Sequence, residues 1–216
     1  VERPALATPI PTAGGGQTLL LDSGANVDCQ GAWIAQFARM GAVYARQVLG
    51  VTNPRVGLLN IGEEEEKGNR QTKEAGALLK ETGLNFVGNV EARDIPADTA
   101  DVIVCDGFVG NVILKFMEGV AGTLMGIIKK ELLSDTRSKV GALLAKPAFG
   151  RVKKTMDYSE VGGAPLLGVR GNVVKAHGSS NAHAIACAIG QAVQMIQSGV
   201  VGRIEALLPD APSAES

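Results

Sequence analysis

Five short apolar runs, each ending in a cluster of Gly, Asn, Asp or His and separated from the next by a longer helical pattern, constrain this chain more than any other feature. Leu19-Leu20-Leu21 runs into Asp22-Ser23-Gly24-Ala25-Asn26, Val56 to Asn60 into Ile61-Gly62, and Asn85-Phe86-Val87 into Gly88-Asn89. Val102 to Cys105 runs into Asp106-Gly107, and Val173 to Ala176 into His177-Gly178. Between them, apolar residues recur at three- and four-residue steps. Ile34, Phe37, Ala38, Gly41, Tyr44 and Val48 predict one helix, Thr72 to Glu81 a polar-faced second, and Val112, Ile113, Phe116, Val120, Leu124 and Ile127 a long third. Ser179 or Ser180 is expected to cap a last helix reaching Ile196. Strand alternating with helix predicts a layered α/β fold on a mostly parallel sheet. Open α/β sheets bind ligands outside the carboxyl ends of their strands, so the five clusters are expected to meet at one site.

Composition narrows the function. A chain of 216 residues with 45% apolar and 20% charged residues suits one domain, 1–216, with a real core. A net charge of −1 excludes a globally basic nucleic-acid binder, and eight aromatic residues argue against a base-stacking RNA module. Cys29, Cys105 and Cys187 form no CxxC pair and read as small buried hydrophobes in a reducing compartment, the cytoplasm. No signal peptide opens the sequence. The longest charge-free run, Ala176 to Gly202, contains His177, Asn181, His183, Gln191 and Gln194 and predicts a buried core helix, not a membrane span. Asp210 to Ser216 reads as a loose polar tail.

Gly-Asn occurs at Gly68-Asn69, Gly88-Asn89, Gly110-Asn111 and Gly171-Asn172, several times the chance expectation, and three of the four are expected just past a strand near a helix start. Glycine allows close backbone approach, Asn offers an amide, and a helix N-terminus offers free N–H groups, a combination suited to phosphate; turn and cap chemistry uses the same residues. Lys67, beside Gly68-Asn69, can hold phosphate or a developing oxyanion as a point charge, or simply be solvated next to Glu63 to Glu66. Asp106 can take a proton or orient a neighbour, or cap the long helix. Lys115, one turn further on, and Arg93, after Gly88-Asn89, are further candidate cations. His177 can transfer a proton at a strand end, whereas His183 reads as structural. No Cys/His metal cluster, nucleophile elbow, Walker loop or dinucleotide fingerprint is present, so the expected chemistry uses no metal and no cofactor, with a bound anion free to act as nucleophile.

From Leu132 to Asp157 the composition shifts. Arg137, Lys139, Lys146, Arg151, Lys153 and Lys154 stand with no acid between Arg137 and Lys154, interleaved with Val140, Leu143, Leu144 and Phe149. Such a basic amphipathic excursion suits an acidic protein or an anionic membrane surface, or forms a solvated helical hairpin.

Taken together, these motifs resemble the phosphate acyltransferases of bacterial phospholipid synthesis. The resemblance rests on Asp22-Ser23-Gly24-Ala25-Asn26, Gln36 to Gly41, Gly57 to Glu64, Lys67-Gly68-Asn69, Asn85 to Glu91, Cys105 to Asn111, Pro165 to Gly168 and His177 to Asn181. Ser23 replaces a usually apolar residue, and the chain resembles the carboxyl two-thirds of the family, without its Asp-Ala-Met-Gly-Gly-Asp opening. The resemblance implies a fold like phosphotransacetylases and isocitrate or isopropylmalate dehydrogenases, usually in a homodimer. It implies transfer of a fatty acyl group from acyl carrier protein to inorganic phosphate, with Lys67, Asp106 and His177 as catalytic residues. Phosphate and substrate would lie against Asn26, Gly68, Asn69, Gly88, Asn89, Arg93, Gly110, Asn111 and Lys115. It also implies peripheral membrane association, with Lys139, Leu143, Leu144, Lys146, Phe149 and Arg151 as contacts for membrane or acyl carrier protein. Two other readings fit the residues: a phosphotransacetylase using acyl-CoA, and a non-catalytic module that binds an acidic partner or membrane. A hydroxy-acid dehydrogenase of the related fold would need metal-binding aspartates that have no place here.

Overall fold

The computed structural model describes residues 1–156 and 162–207. A seven-stranded sheet runs through it in the order β4-β3-β5-β2-β1-β6-β7. The strands are β1 (Ala5–Pro11), β2 (Gln17–Leu21), β3 (Arg55–Leu59), β4 (Asn85–Val90), β5 (Val102–Val104), β6 (Gly163–Leu167) and β7 (Val173–Ala176). The helices are α1 (Gly31–Gln47), α2 (Arg70–Lys80), α3 (Gly107–Leu132), α4 (Thr136–Met156), α5 (Ala182–Ser198) and α6 (Val200–Leu207), with a 3-10 turn at Ala92–Ala97.

The central strands are apolar on both faces because helices cover both. Leu19, Leu21, Val56, Leu58, Val102 and Val104 pack with Ile34, Phe37, Ala38 and Tyr44 of α1 in one core. Leu20, Leu59, Ile103 and Cys105 face the other way, onto Ile95 and the start of α3 through Ile113, Leu114 and Met117.

Only half of the sheet is parallel. β4, β3, β5 and β2 are joined by three parallel pairings, whereas β2–β1, β1–β6 and β6–β7 are antiparallel. The first antiparallel step is a hairpin through Gly14-Gly15-Gly16, since a tight turn can join only antiparallel neighbours. β1 carries two prolines and β6 one, which obscure the strand signal in the sequence. Three reversals leave β7 antiparallel to β2, so His177 leaves the sheet at the edge opposite Asp22. The five clusters therefore do not converge on one edge.

Other local expectations shift with tertiary context. Gly88-Asn89 lies inside β4, not beyond it. The last helix is capped by Asn181, whose side chain accepts the Ala184 N–H at 2.9 Å, in place of Ser179 or Ser180. That helix is not a buried core element: α5 buries only Ala184, Ala188 and Met195. At 26 residues α3 is about 39 Å long and outruns the sheet. Its expected core stripe of Val112, Phe116, Val120, Leu124 and Ile127 is exposed, because packing on the sheet uses the next side round, ending at Met117. By length and composition alone α3 would also span a bilayer. α4 follows α3 after a short connection, and its Lys139, Leu143, Leu144, Lys146 and Arg151 are exposed while Phe149 is half-buried. The excursion is thus helical and largely exposed over its described part; Asp157 and the tail Asp210 to Ser216 lie outside the described residues.

Candidate active site

The parallel half of the sheet brings the carboxyl ends of β2, β3 and β5 to one edge, where α2 and α3 also begin. Asp22, wholly buried, organises the turn after β2. Its carboxylate accepts the N–H groups of Leu6 at 3.0 Å, Gly24 at 3.1 Å, Ala25 at 3.0 Å and Asn26 at 2.7 Å. The Asn26 amide donates to Asp22 Oδ2 at 2.8 Å and to the Pro4 carbonyl at 2.7 Å, so Asn26 holds the turn together with its NH2 group.

Asp106 caps α3. One oxygen accepts the Phe108 N–H at 2.8 Å and the other the Cys29 N–H at 2.7 Å, with Gln71 Nε2 at 3.4 Å. Burial pushes its pKa up, but the Cys29 N–H and thiol, the Phe108 N–H and the Gln71 amide outweigh burial and hold it below the usual carboxylate value. Its geometry is that of a cap that also fastens α2 and the loop before α1. Gly110 packs against the Asp22 turn: a Cβ there would stand 2.0 Å from the Asp22 carbonyl oxygen. That contact sets Asn111 next to Gly24, where a Cβ on Gly24 would lie 3.3 Å from Asn111 Cβ.

At α2, Asn69 is the cap and accepts the Thr72 N–H at 2.9 Å. Gly68 before it has φ +100°, open to glycine at little cost. Lys67 is exposed, and its carbonyl accepts Asn60 Nδ2 at 3.2 Å. Asn89 reaches the same loop through Nδ2 to the Glu64 carbonyl at 2.8 Å. Lys67, Gly88 and Asn89 line a cleft of about 640 Å³ with Lys73 and Lys80, and Lys80 is ion-paired to Glu65.

A second cleft, of about 340 Å³, runs from Ser23 along α3 to the end of β7. It collects Asn111, Lys115 and His177 from the expected residues and adds Thr8, Ser23, Glu118 and Lys175. Its apolar walls are Leu6, Pro9, Leu114 and Ala164. Lys115 Nζ lies 2.9 Å from Glu118 Oε2, and His177 Nδ1 is 2.7 Å from Ser179 Oγ. Asn111 borders this cleft and also stands at the α3 N-terminus beside the Asp22 turn, and so links the two regions. Arg93 is not brought in; it pairs with Glu91 at 2.8 Å and is 74% exposed. His183 sits on the exposed first turn of α5, its Nε2 3.7 Å from Cys187 Sγ.

Gln71 and Lys175 were not among the expected site residues. Gln71 is two residues after Asn69, and its position in the first turn behind a cap was a usable signal. Lys175 carries none, since alternation in a four-residue strand does not say which face meets a cleft.

A family profile described as fatty acid synthesis protein matches residues 1–203. Proteins named phosphate acyltransferase are 52% identical over 205 residues in Clostridium novyi, 52% over 208 in Geobacillus thermodenitrificans and 51% over 210 in Clostridium acetobutylicum. The alignments cover 95 to 97% of this chain but 61 to 63% of those proteins, so the chain spans about three fifths of their length. A solved structure, EutD phosphotransacetylase from Staphylococcus aureus, is similar at TM-score 0.44 and 16% identity, over 56% of this chain and 43% of that one. With a profile match running through nearly every element of the sheet, the chain belongs to the fatty acid synthesis protein family.

Proposed function

We propose that this chain carries the anion-binding edge and acyl cleft of an enzyme that transfers a fatty acyl group from the thioester of acyl carrier protein to inorganic phosphate. The observation that carries the reading is the meeting of two capped helix N-termini, α2 and α3, at one sheet edge, with Asn111 leading from it into a cleft with apolar walls. Similarity to proteins named phosphate acyltransferase supports it.

In this reading, phosphate lies at the edge near Gly68, Asn69 and Lys67, and the acyl thioester lies along the cleft. A phosphate oxygen attacks the thioester carbonyl carbon, the C–S bond breaks, and the released thiolate takes a proton, giving acyl phosphate and free thiol. Alignment of the two reactants supplies much of the rate. Lys67 and the Asn111 amide stabilise the oxyanion. His177 lines the far end of the cleft with Lys115 and contacts the acyl donor there, and the released thiolate takes its proton from solvent. Asp106 acts as a positioning residue, since its oxygens already serve Cys29 and Phe108. Exposed Lys139, Lys146 and Arg151, with Leu143 and Leu144, receive the acidic carrier protein and rest on an anionic membrane surface. The complete enzyme is then a cytoplasmic, peripherally membrane-associated homodimer.

The test is phosphate-dependent loss of acyl-carrier thioester, with acyl phosphate trapped as hydroxamate, on this chain alone and joined to the remaining part of a relative. Acyl-CoA in a parallel arm separates the phosphotransacetylase reading. No turnover in any arm with the fold intact overturns acyl transfer and leaves a binding module.

A further inference from the structure

The cleft of about 340 Å³ is lined by α3, β1, β6 and β7, and its chemistry changes along its length. It follows α3 from Asn111 to Glu118, about 10 Å of helix, so it takes an extended chain lengthwise. Leu6, Pro9, Leu114 and Ala164 give it apolar walls, while Lys115, Glu118 and Lys175 bring charge to the end away from Asn111. Lys115 is neutralised by Glu118 at 2.9 Å. No carboxylate pairs with Lys175 among the described residues, so its charge is open to an anionic ligand.

Thr8 adds a second restriction. Ser23 Oγ donates its one proton to the Leu6 carbonyl at 3.1 Å. The 2.7 Å hydrogen bond between Thr8 Oγ1 and Ser23 Oγ is therefore donated by Thr8. The Thr8 oxygen is left with lone pairs only and lines the cleft as an acceptor. Its complement is an N–H on the ligand.

A fatty tail offers nothing to Thr8 or Lys175, and charged walls disfavour it. Inorganic phosphate would meet Lys175, but it has no N–H for Thr8 and leaves the apolar walls uncovered. A chain of amides and methylenes ending in a phosphate meets all three. Phosphopantetheine, the arm on which acyl carrier protein and coenzyme A both carry a thioester, is such a chain.

We infer that the cleft holds this phosphopantetheine arm, with its phosphate on Lys175 and an amide N–H on Thr8 Oγ1. The inference rests on the acyl-transfer reading and puts the thioester at the Asn111 end.

The test separates binding from turnover. The full-length protein is titrated calorimetrically with two thioethers that cannot react, S-octyl phosphopantetheine and S-octyl pantetheine, which lacks the phosphate. The first should bind at least ~10-fold more tightly, the usual worth of a hydrogen bond between charged groups. Lys175 is exposed, so Lys175→Ala should keep the fold; it should abolish the preference and leave the second compound unchanged. Thr8→Val should weaken both compounds several-fold. Lys129→Ala, near the other end of α3, should change neither. Equal affinity for the two thioethers, a preference that survives Lys175→Ala, or binding indifferent to Thr8→Val would each overturn the inference. So would displacement of S-octyl phosphopantetheine by inorganic phosphate, which would assign Lys175 to the second substrate. Turnover with acyl carrier protein and with acyl-CoA tells which source of the arm the site serves. Lys175→Ala should raise KM for the effective donor by at least ~10-fold with kcat little changed. Phosphate-dependent thioether binding without turnover would remove acyl transfer and keep the arm site, and turnover without a phosphate preference would do the reverse.

Discussion

Asp106 Oδ2 accepts the backbone N–H of Cys29 at 2.7 Å across 77 residues of sequence, while the other oxygen of the same carboxylate caps α3. One side chain thus sets both the start of the long helix and the path of the chain into α1. Removing it exposes two donors at once. Asp106→Ala should lose about 2–3 kcal/mol, the sum of a lost cap and an unsatisfied buried N–H. A chain of this size should then melt roughly 4–12 °C lower. Asp106→Asn, which keeps the acceptor for Phe108, should lose less. A urea titration of both variants checks the order, and equal losses would remove the two-donor account.

Acid should weaken the fold through two carboxylates. Burial pushes Asp101 up, but the Arg55 guanidinium and N–H, which donate at 2.9 and 2.7 Å, pull it below 3.8. Asp106 is held below the same value. A carboxyl with a lower pKa folded than unfolded stabilises above its unfolded pKa and loses that contribution as pH falls through its folded pKa. Stability should therefore be flat in this respect above about pH 5 and fall steadily below pH 4. In Arg55→Met the Asp101 share of that fall should diminish, measured as the pH dependence of the urea midpoint.

Two glycines of α3 should respond with opposite sign. Gly110→Ala drives a methyl toward the Asp22 carbonyl oxygen, and the turn or the helix must move; the expected loss is ~1–3 kcal/mol. Gly119→Ala meets nothing within 4 Å and should gain about 0.5–1 kcal/mol from helix propensity. Thermal melts of the two variants decide it.

Thiol chemistry should single out Cys187. Burial, then the hydrogen bond to Asp106, pushes the Cys29 thiol up to about 12. Burial raises Cys105 well above its ordinary range. Both should resist a disulfide reagent at pH 8, because the thiolate is the reacting form. The native chain should release one equivalent quickly and the denatured chain three, one from each cysteine. Fast release of more than one from native protein would contradict the burial of Cys29 and Cys105.

On the proposed acyl transfer, Lys67→Ala and Asn111→Ala in the full-length protein should each lower kcat by about 100- to 1000-fold, the usual effect of removing one oxyanion contact. His177→Ala should raise KM for the acyl donor more than it lowers kcat, because His177 lines the cleft away from the reacting carbonyl. Near-normal turnover of Lys67→Ala would move the phosphate site to the Lys115 and Lys175 cleft.

The sequence alone determined the elements whose causes are local. Leu19 to Leu21, Val56 to Asn60 and Val102 to Cys105 have to be covered on both faces, and the Ile34 to Tyr44 spacing supplies a helix to cover one of them. The helix start at Gly68-Asn69 and the close approach at Gly110, early in α3, were legible for the same reason, since both are written within a few residues. Strand direction beyond β2 was decided only by tertiary structure: β1 and β6 pair through backbone groups that their prolines conceal, and three antiparallel steps send His177 to the edge opposite Asp22. Helix periodicity in α3 likewise marked an apolar side without telling which side meets the sheet. Ile113, Leu114 and Met117 face Leu20 and Ile103, and the longer stripe beside them stays bare. Periodicity measures what a segment could bury; only the positions of other segments settle what it does bury.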